Sequence, residues 1–299
     1  MTSLRESFQL KPSLVICGAF DGLTARLVER GGFDGVWASG FCISASKGEP
    51  DANVLTINEL VDRVAEMAKC VSIPIIVDCD EGYGDIQSTI RLVKELAEIG
   101  VQAVCIEDNC FPKLNSFLAD VARRLVPVQT HCERIRAVKE AVPEMMVIAR
   151  TEAIIAGLSV DHGVARGKAY GDAGADLVLI HSRYTELDQF RELAAKWDGR
   201  YPLVVVPTLA TSLDCRDFAD VGYRMVIFAN QVLRVCVLGA ETMLGQLRET
   251  GSQKAILPNL TSLEHIFELT GLTANGAGSL RKDRDAAACV PESSGVPVY

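Results

Sequence analysis

Eight short, apolar, β-branched runs recur along this chain, each followed by a longer stretch. No other feature of the sequence restricts the fold as much. The runs cover residues 14–20, 34–40, 73–80, 102–109, 145–151, 176–182, 203–208 and 225–230. Their length and composition suit strands covered on both faces, as in a parallel sheet clad by helices. Several of the intervening stretches, among them 57–71, 86–99, 132–142 and 187–197, repeat their apolar residues with helical period. Gly31, Gly100, Gly174 and Gly199 stand where a helix would end in a left-handed residue. A helix stop leads directly into a strand start in Gly32-Phe33-Asp34-Gly35-Val36, Gly100-Val101-Gln102-Ala103-Val104, Gly174-Ala175-Asp176-Leu177-Val178 and Gly222-Tyr223-Arg224-Met225-Val226. Eight strand–helix units predict an α/β fold, a (β/α)8 TIM-type barrel with extra C-terminal helices. An open, doubly wound sheet is the alternative, but no glycine-rich phosphate fingerprint follows the first strand.

The chain has 299 residues, 48% of them hydrophobic, which is enough for one barrel domain over residues 1–270. The apolar stretches 231–247 and 263–269 exceed one barrel unit and read as helices that pack on a neighbour or on the barrel exterior. Residues 271–299, rich in Gly, Ala, Ser and Pro, are expected to form a flexible tail. Thirty basic against 39 acidic residues leave a net charge of −9. That balance speaks against a nucleic-acid partner and against docking on an anionic membrane. There is no 18-residue apolar run and no basic, apolar start resembling a signal peptide, so a cytoplasmic protein is expected. The ten cysteines include no CxxC pair, and most sit in strand-like or helical apolar patterns, as buried thiols in a reducing compartment would.

In such barrels the chemistry gathers at the carboxyl ends of the strands. Asp78 and Asp80 are two residues apart and share one face of a strand, and Glu107 closes the next run. Three converging carboxylates would repel one another unless a hard cation compensated them, and Mg2+ fits, with Mn2+ as the other choice. The plainer reading is that one or more of them caps a helix. Arg150 and His181 directly follow apolar runs. A buried Arg there needs an anion, which is either substrate or a protein carboxylate such as Glu107 or Glu152. His181 reads either as a site residue or as a hydrogen-bonded core histidine.

Several motifs in order then carry a resemblance. They are Trp37-Ala38-Ser39-Gly40-Phe41, Ser44-Ala45-Ser46, Pro50-Asp51-Ala52-Asn53, Asp78-Cys79-Asp80, Cys105-Ile106-Glu107-Asp108, Phe111-Pro112-Lys113-Leu114-Asn115-Ser116-Phe117, Val147-Ile148-Ala149-Arg150 and Leu179-Ile180-His181-Ser182. From residue 16 to 230 the chain resembles the phosphoenolpyruvate mutase branch of the isocitrate lyase superfamily. The resemblance implies interconversion of phosphoenolpyruvate and phosphonopyruvate in phosphonate biosynthesis, with Asp78 on Mg2+ and Asp51, Asp80 and Glu107 holding its waters. Ser39, Gly40 and Phe41 would bind the substrate carboxylate and enolate oxygen, and Trp37 would pack on the enolate. Asn115, Ser116, Arg150 and His181 would hold the phosphoryl group, and Lys113 would compensate charge beside it. Residues 112–125 would form a gate that closes over the site. A homo-oligomer, tetramer or dimer, is expected from the surplus apolar helix together with this similarity.

The gate separates the branches of the superfamily. The carbon–carbon lyases carry a Lys-Lys-Cys-Gly-His loop that this chain lacks, and Cys110 reads as packing. The related phosphonopyruvate hydrolases carry Thr-Ser where this chain has Asn115-Ser116. Two departures from the mutase pattern also fall here. Asn109 replaces a lysine, which leaves Lys113 or Arg183 to compensate, and residues 118–125 differ from the usual pattern. A mutase is the leading expectation. Hydrolysis of phosphonopyruvate, carbon–carbon cleavage of a substituted di- or tricarboxylic acid, and a non-catalytic barrel that binds a carboxylate or a partner protein are the alternatives.

Overall fold

The computed structural model describes residues 3–118, 122–273 and 276–277. Eight parallel strands close into a barrel in sequence order: β1 (Leu14–Ala19), β2 (Gly35–Ala38), β3 (Ile75–Asp78), β4 (Ala103–Glu107), β5 (Met146–Thr151), β6 (Leu177–Ile180), β7 (Leu203–Val205) and β8 (Tyr223–Phe228). β1 pairs with both β2 and β8, which completes the ring. The helices are α1 (Leu4–Leu10), α2 (Gly22–Arg30), α3 (Gly40–Ser46), α4 (Ile57–Ala68), α5 (Ile86–Glu98), α6 (Val128–Ala141), α7 (Val160–Asp172), α8 (Leu187–Lys196), α9 (Cys215–Asp220), α10 (Gln231–Thr250) and α11 (Leu263–Thr270). The expected TIM-type barrel with extra C-terminal helices is therefore the fold. The chain divides into two units, residues 1–259 with the barrel and α10, and residues 260–299.

Period-two alternation sorts the strand side chains. Leu14, Ile16, Trp37, Ile76, Cys105, Ile148, Leu179, Val204, Val206, Met225 and Ile227 fill the barrel interior as one buried cluster. The intervening residues, such as Val36, Val77, Val104, Val147 and Val178, face the helices. Each such buried aliphatic side chain contributes about 1.5–3 kcal/mol. Gly18 belongs to the inward series, and only a glycine fits there. A Cβ would lie 2.1 Å from the Ala229 carbonyl oxygen, across the seam between β1 and β8.

Several local expectations shift. All strands but β5 stop short of the apolar runs at their carboxyl ends, because the last residues leave the ladder. α6 begins at Val128, four residues before the apolar period suggests. Gly31 is a right-handed C-cap, and Gly32 takes the left-handed position at φ 77°. α1 was not anticipated. Its Leu4 is fully buried in the interior cluster, and its amide donates to Gln102 Oε1 at 2.6 Å. Within the second unit, Leu272–Thr273 pairs antiparallel with Gly276–Ala277, at the start of the expected tail. The rest of that stretch, 274–275 and 278–299, lies outside the described residues. Among the described residues no helix is long and apolar enough to cross a membrane.

Candidate active site

The interior series changes character as it reaches the carboxyl ends of the strands. Its apolar members are followed two residues on by Ser39 after β2, Asp78 at the end of β3, Glu107 at the end of β4, Arg150 in β5, His181 after β6 and Thr208 after β7. All six line one cavity of about 440 Å3. Asp51 and the segment Lys113–Phe117 close it from the loop side. Of the residues expected from the sequence, Trp37, Ser39, Phe41, Asp51, Asp78, Glu107, Lys113, Asn115, Ser116, Arg150 and His181 line this cavity. Asp80 and Gly40 stand just behind that lining. A Cβ on Gly40 would come within 3.2 Å of Asp80 Oδ1, so the missing side chain makes room for the carboxylate.

From β4 to β6 the wall is a connected network of hydrogen bonds and ion pairs. Glu152, fully buried one residue past β5, is its hub. Its carboxylate accepts from Arg150 Nε at 2.7 Å and from Ser116 Oγ at 2.8 Å, and His181 Nδ1 lies 2.7 Å from it. Arg150 also donates to Ser116 Oγ at 2.9 Å and lies 3.2 Å from Glu107 Oε2. Asn109 Nδ2 donates to Glu107 Oε1 at 2.7 Å. The plainer reading of Arg150 holds, since it pairs with two carboxylates, and its side chain also lines the cavity. Behind Glu152, buried Asp108 accepts from Thr151 Oγ1 (2.7 Å), the Glu152 amide (2.9 Å), Tyr170 OH (2.7 Å) and Arg166 (3.0 Å).

The loop segment is tied down residue by residue. Lys113 is buried, pairs with Asp51 at 2.7 Å and donates to Asp80. Its backbone amide donates to Asn53 Oδ1, while Asn53 Nδ2 donates to Glu81 at 2.8 Å. Asn115 Nδ2 donates to Asp51 Oδ2 at 2.6 Å. Arg123 donates to the Leu114 carbonyl at 2.7 Å, and Arg183 to the Ser116 carbonyl at 2.9 Å. Residues 119–121 of the expected gate lie outside the described residues.

Burial decides the protonation states, except where charge outweighs it. Burial disfavours the Lys113 ammonium, but Asp80 and Asp51, helped by Asp78 and Glu107, hold it charged well beyond the ordinary range. Burial also opposes ionisation of Glu152, yet Arg150, His181 and Ser116 prevail and keep it a carboxylate. Burial, opposed by Arg150 and reinforced by Glu152, pushes Glu107 up to about 7. For His181, burial, opposed by Glu152 and reinforced by Arg150, favours the neutral ring. With Glu152 anionic, Nδ1 carries the hydrogen, and buried Nε2 is left without a partner.

Two features bear on a cation. Among the described residues no group of three or more His, Cys, Asp or Glu side chains is arranged to hold a metal ion by itself. The sequence-based trio of Asp78, Asp80 and Glu107 is thus not a ready-made ligand cluster, because Lys113 takes Asp80 while Arg150 and Asn109 take Glu107. Asp78 differs from them. It is 7% exposed and lines the cavity, and no hydrogen bond or ion pair among the described residues engages its carboxylate. One free carboxylate at the cavity suits a hard cation that keeps most of its waters.

Sequence reasoning underrated Glu152, which it treated only as a partner for Arg150, and assigned no role to Thr208, Asn230 or Arg234, which all line the cavity. Thr208 could have been found by following the inward period of Val204 and Val206 past β7, whereas Asn230 is out of phase with Met225, Ile227 and Ala229 and no strand period points to it.

The family model described as phosphoenolpyruvate phosphomutase matches residues 4–248. The chain is 35% identical to the phosphoenolpyruvate phosphomutase of Tetrahymena pyriformis, over 90% of this chain and 91% of that protein. It is similar to the crystal structure of a phosphoenolpyruvate phosphomutase from Streptomyces platensis subsp. rosaceus, with TM-score 0.87 and 40% identity over 90% of this chain and 94% of that one. It also resembles a phosphonopyruvate hydrolase solved with oxalate and Mg++, with TM-score 0.83 and 35% identity over 90% of this chain and 93% of that one.

Proposed function

This chain belongs to the phosphoenolpyruvate phosphomutase family, and from that premise we propose that it interconverts phosphoenolpyruvate and phosphonopyruvate by intramolecular phosphoryl transfer. The observation that carries the reading is the meeting of two subsites in one cavity. Asp78 offers a free carboxylate at one side, and the Arg150–Glu152–His181 network with Ser116 offers phosphoryl-binding donors at the other. Asp78, with Asp51, Asp80 and Glu107 beside it, would hold a divalent cation, Mg2+ or Mn2+, which would supply Lewis-acid stabilisation of the developing negative charge. The free Asp78 carboxylate supports that assignment.

The remaining chemistry is positioning. A loose phosphoryl transfer needs charge stabilisation and alignment more than a strong nucleophile. Arg150 is oriented by Glu107 and Glu152, so its free guanidinium edge meets the phosphoryl oxygens at no cost in reorganisation. His181 presents Nε2 to the same group; in the neutral ring with Nδ1–H this nitrogen is an acceptor, and it donates only to a phosphoryl anion that draws a proton onto the ring. Asn115, fixed by Asp51, and Ser116, fixed by Glu152, bring the loop segment over the cavity and exclude water. Ser39, Gly40 and Phe41 start α3 and offer the Ser39 hydroxyl and backbone N–H groups to the substrate carboxylate, and Trp37 supplies an apolar floor.

Hydrolysis of phosphonopyruvate is the competing reading. It requires a group that activates water, and the loop residues facing the cavity carry no unengaged base. Lys113 is ion-paired, Asn115 is an amide and Ser116 is held by Glu152 and Arg150. Phosphorus NMR of the protein with phosphonopyruvate and Mg2+ tests this. Growth of a phosphoenolpyruvate signal is expected, and inorganic phosphate appearing without it would make the enzyme a hydrolase.

The same reading includes a homo-oligomer, dimer or tetramer. α10 has no buried residue, and Val235, Val237, Leu238 and Leu244 are exposed along it. Such a surface calls for cover. A monomer mass by light scattering at micromolar concentration would refute it. A cytoplasmic setting is supported by the nine described cysteines, all free thiols.

A further inference from the structure

The cavity wall formed by β7, β8 and the first turn of α10 is chemically unlike the wall opposite. Thr208 Oγ1 is buried and has no partner. Asn230 is 9% exposed, and its Oδ1 is likewise unpartnered; it stands at the N-cap of α10 without making a side-chain capping bond. Arg234, one turn into the helix, lines the cavity from an exposed position, and no hydrogen bond or ion pair among the described residues engages its guanidinium. An unmatched buried polar group is unfavourable by roughly 1–3 kcal/mol. Two of them beside an unpaired cation, all facing one cavity, are the pattern of a site completed by its ligand.

We propose that Thr208, Asn230 and Arg234 form an anion subsite that binds a carboxylate at the far end of a short 2-oxo acid. This rests on the reading above, in which the Asp78 side of the cavity holds the 2-oxo carboxylate end. A carboxylate is the group that these three satisfy together. Arg234 supplies a charge-assisted fork, Thr208 a hydroxyl donor, and Asn230 an amide whose donor end replaces its acceptor by a flip about the terminal torsion. Water would satisfy Thr208 and Asn230 and hydrates the exposed Arg234, whereas a carboxylate engages all three at once. The subsite widens the ligand class from pyruvate-sized acids to 2-oxo dicarboxylates.

Calorimetric titration of the Mg2+-loaded, full-length protein separates this inference from its premise. Two probes are used: oxalate, which reaches only the metal end, and 2-oxoglutarate, which carries a second carboxylate. Arg234→Ala is expected to weaken 2-oxoglutarate by about 10-fold or more while leaving oxalate within about 2-fold. Thr208→Val, which keeps the side-chain shape, is expected to weaken 2-oxoglutarate by a smaller factor in the same direction. If oxalate binds but 2-oxoglutarate does not, or binds equally to the wild type and Arg234→Ala, the subsite is refuted and the premise stands. If oxalate fails to bind the wild type, the metal-centred premise falls and the subsite with it.

Discussion

The two halves of the cavity wall solve the same burial problem in opposite ways. From β3 to β6, each described charged side chain except Asp78 is answered by another. Arg150 lies against Glu107 and Glu152, His181 and Ser116 against Glu152, and Lys113 against Asp51 and Asp80. From β7 to α10, Thr208 and Asn230 keep buried oxygens without partners and Arg234 keeps an unpaired charge. The first arrangement is rigid before any ligand arrives, which is what transition-state stabilisation requires. The second is unfinished and gains its partners on binding. On the two proposals made above, electrostatic preorganisation and ligand selection are divided between the two sides of one barrel mouth.

The largest effect should come from the one free group on the paired side. Asp78→Ala is expected to lower kcat/KM by ~10^3-fold or more while far-ultraviolet circular dichroism stays unchanged. Arg150→Lys should lose ~10^2–10^3-fold, because an ammonium cannot span Glu107, Glu152 and Ser116 together. Retention of activity within ~10-fold in the lysine variant would mean that the paired wall does not act as a unit. Next comes stability. Glu152→Gln leaves Arg150 without its closest counterion and should destabilise the fold by roughly 3–5 kcal/mol in urea titration. A loss below ~1 kcal/mol would show the two walls to be less different than their contacts suggest.

Behind the wall lies a group sensitive to pH, whose two ring nitrogens have no hydrogen-bond partner among the described residues. His131 is fully buried, with its ring centroid 4.5 Å from that of Tyr170, which serves Asp108. Burial, with Arg134 and Arg166 adding to it, lowers its pKa to about 3. Between about 3 and the unfolded value near 6.5, the unfolded chain therefore binds more protons than the folded one. Its contribution to stability is complete above that upper value and is lost as pH falls through the window, ~2 kcal/mol of it by pH 5. His131→Phe should flatten the stability profile over this range, and an unchanged slope would rule the residue out as its source. The smallest effect is expected across the cavity. Thr208→Val should change stability by no more than ~0.5 kcal/mol, since it removes an unpaired oxygen, whereas Ser116→Ala should cost ~1–3 kcal/mol.

Much of the paired wall was legible because it continues a strand period. Asp78, Glu107, Arg150 and His181 sit two residues beyond Ile76, Cys105, Ile148 and Leu179, so a barrel that buries the latter aims the former at its mouth. Asn115 and Ser116 came only from the resemblance, because no periodicity places a loop residue. Glu152 was underrated because it lies just past β5, where the chain turns and alternation no longer tells which way a side chain faces. The neutralisation of Asp80 and Glu107 was missed for a related reason. Lys113 is 33 residues from Asp80, and Asn109 occupies the position where a family lysine would have suggested charge balance.

By itself, the sequence determined the repeating strand–helix order, the buried faces and most of the chemistry-bearing strand ends, since all of these follow from local hydrophobic period and strand alternation. Only the tertiary structure decided which carboxylate stays free, which cations are already spent on protein partners, and that Thr208, Asn230 and Arg234 meet on the far wall. Those are matters of distance between residues remote in sequence, and the distances are set when the barrel closes β8 against β1.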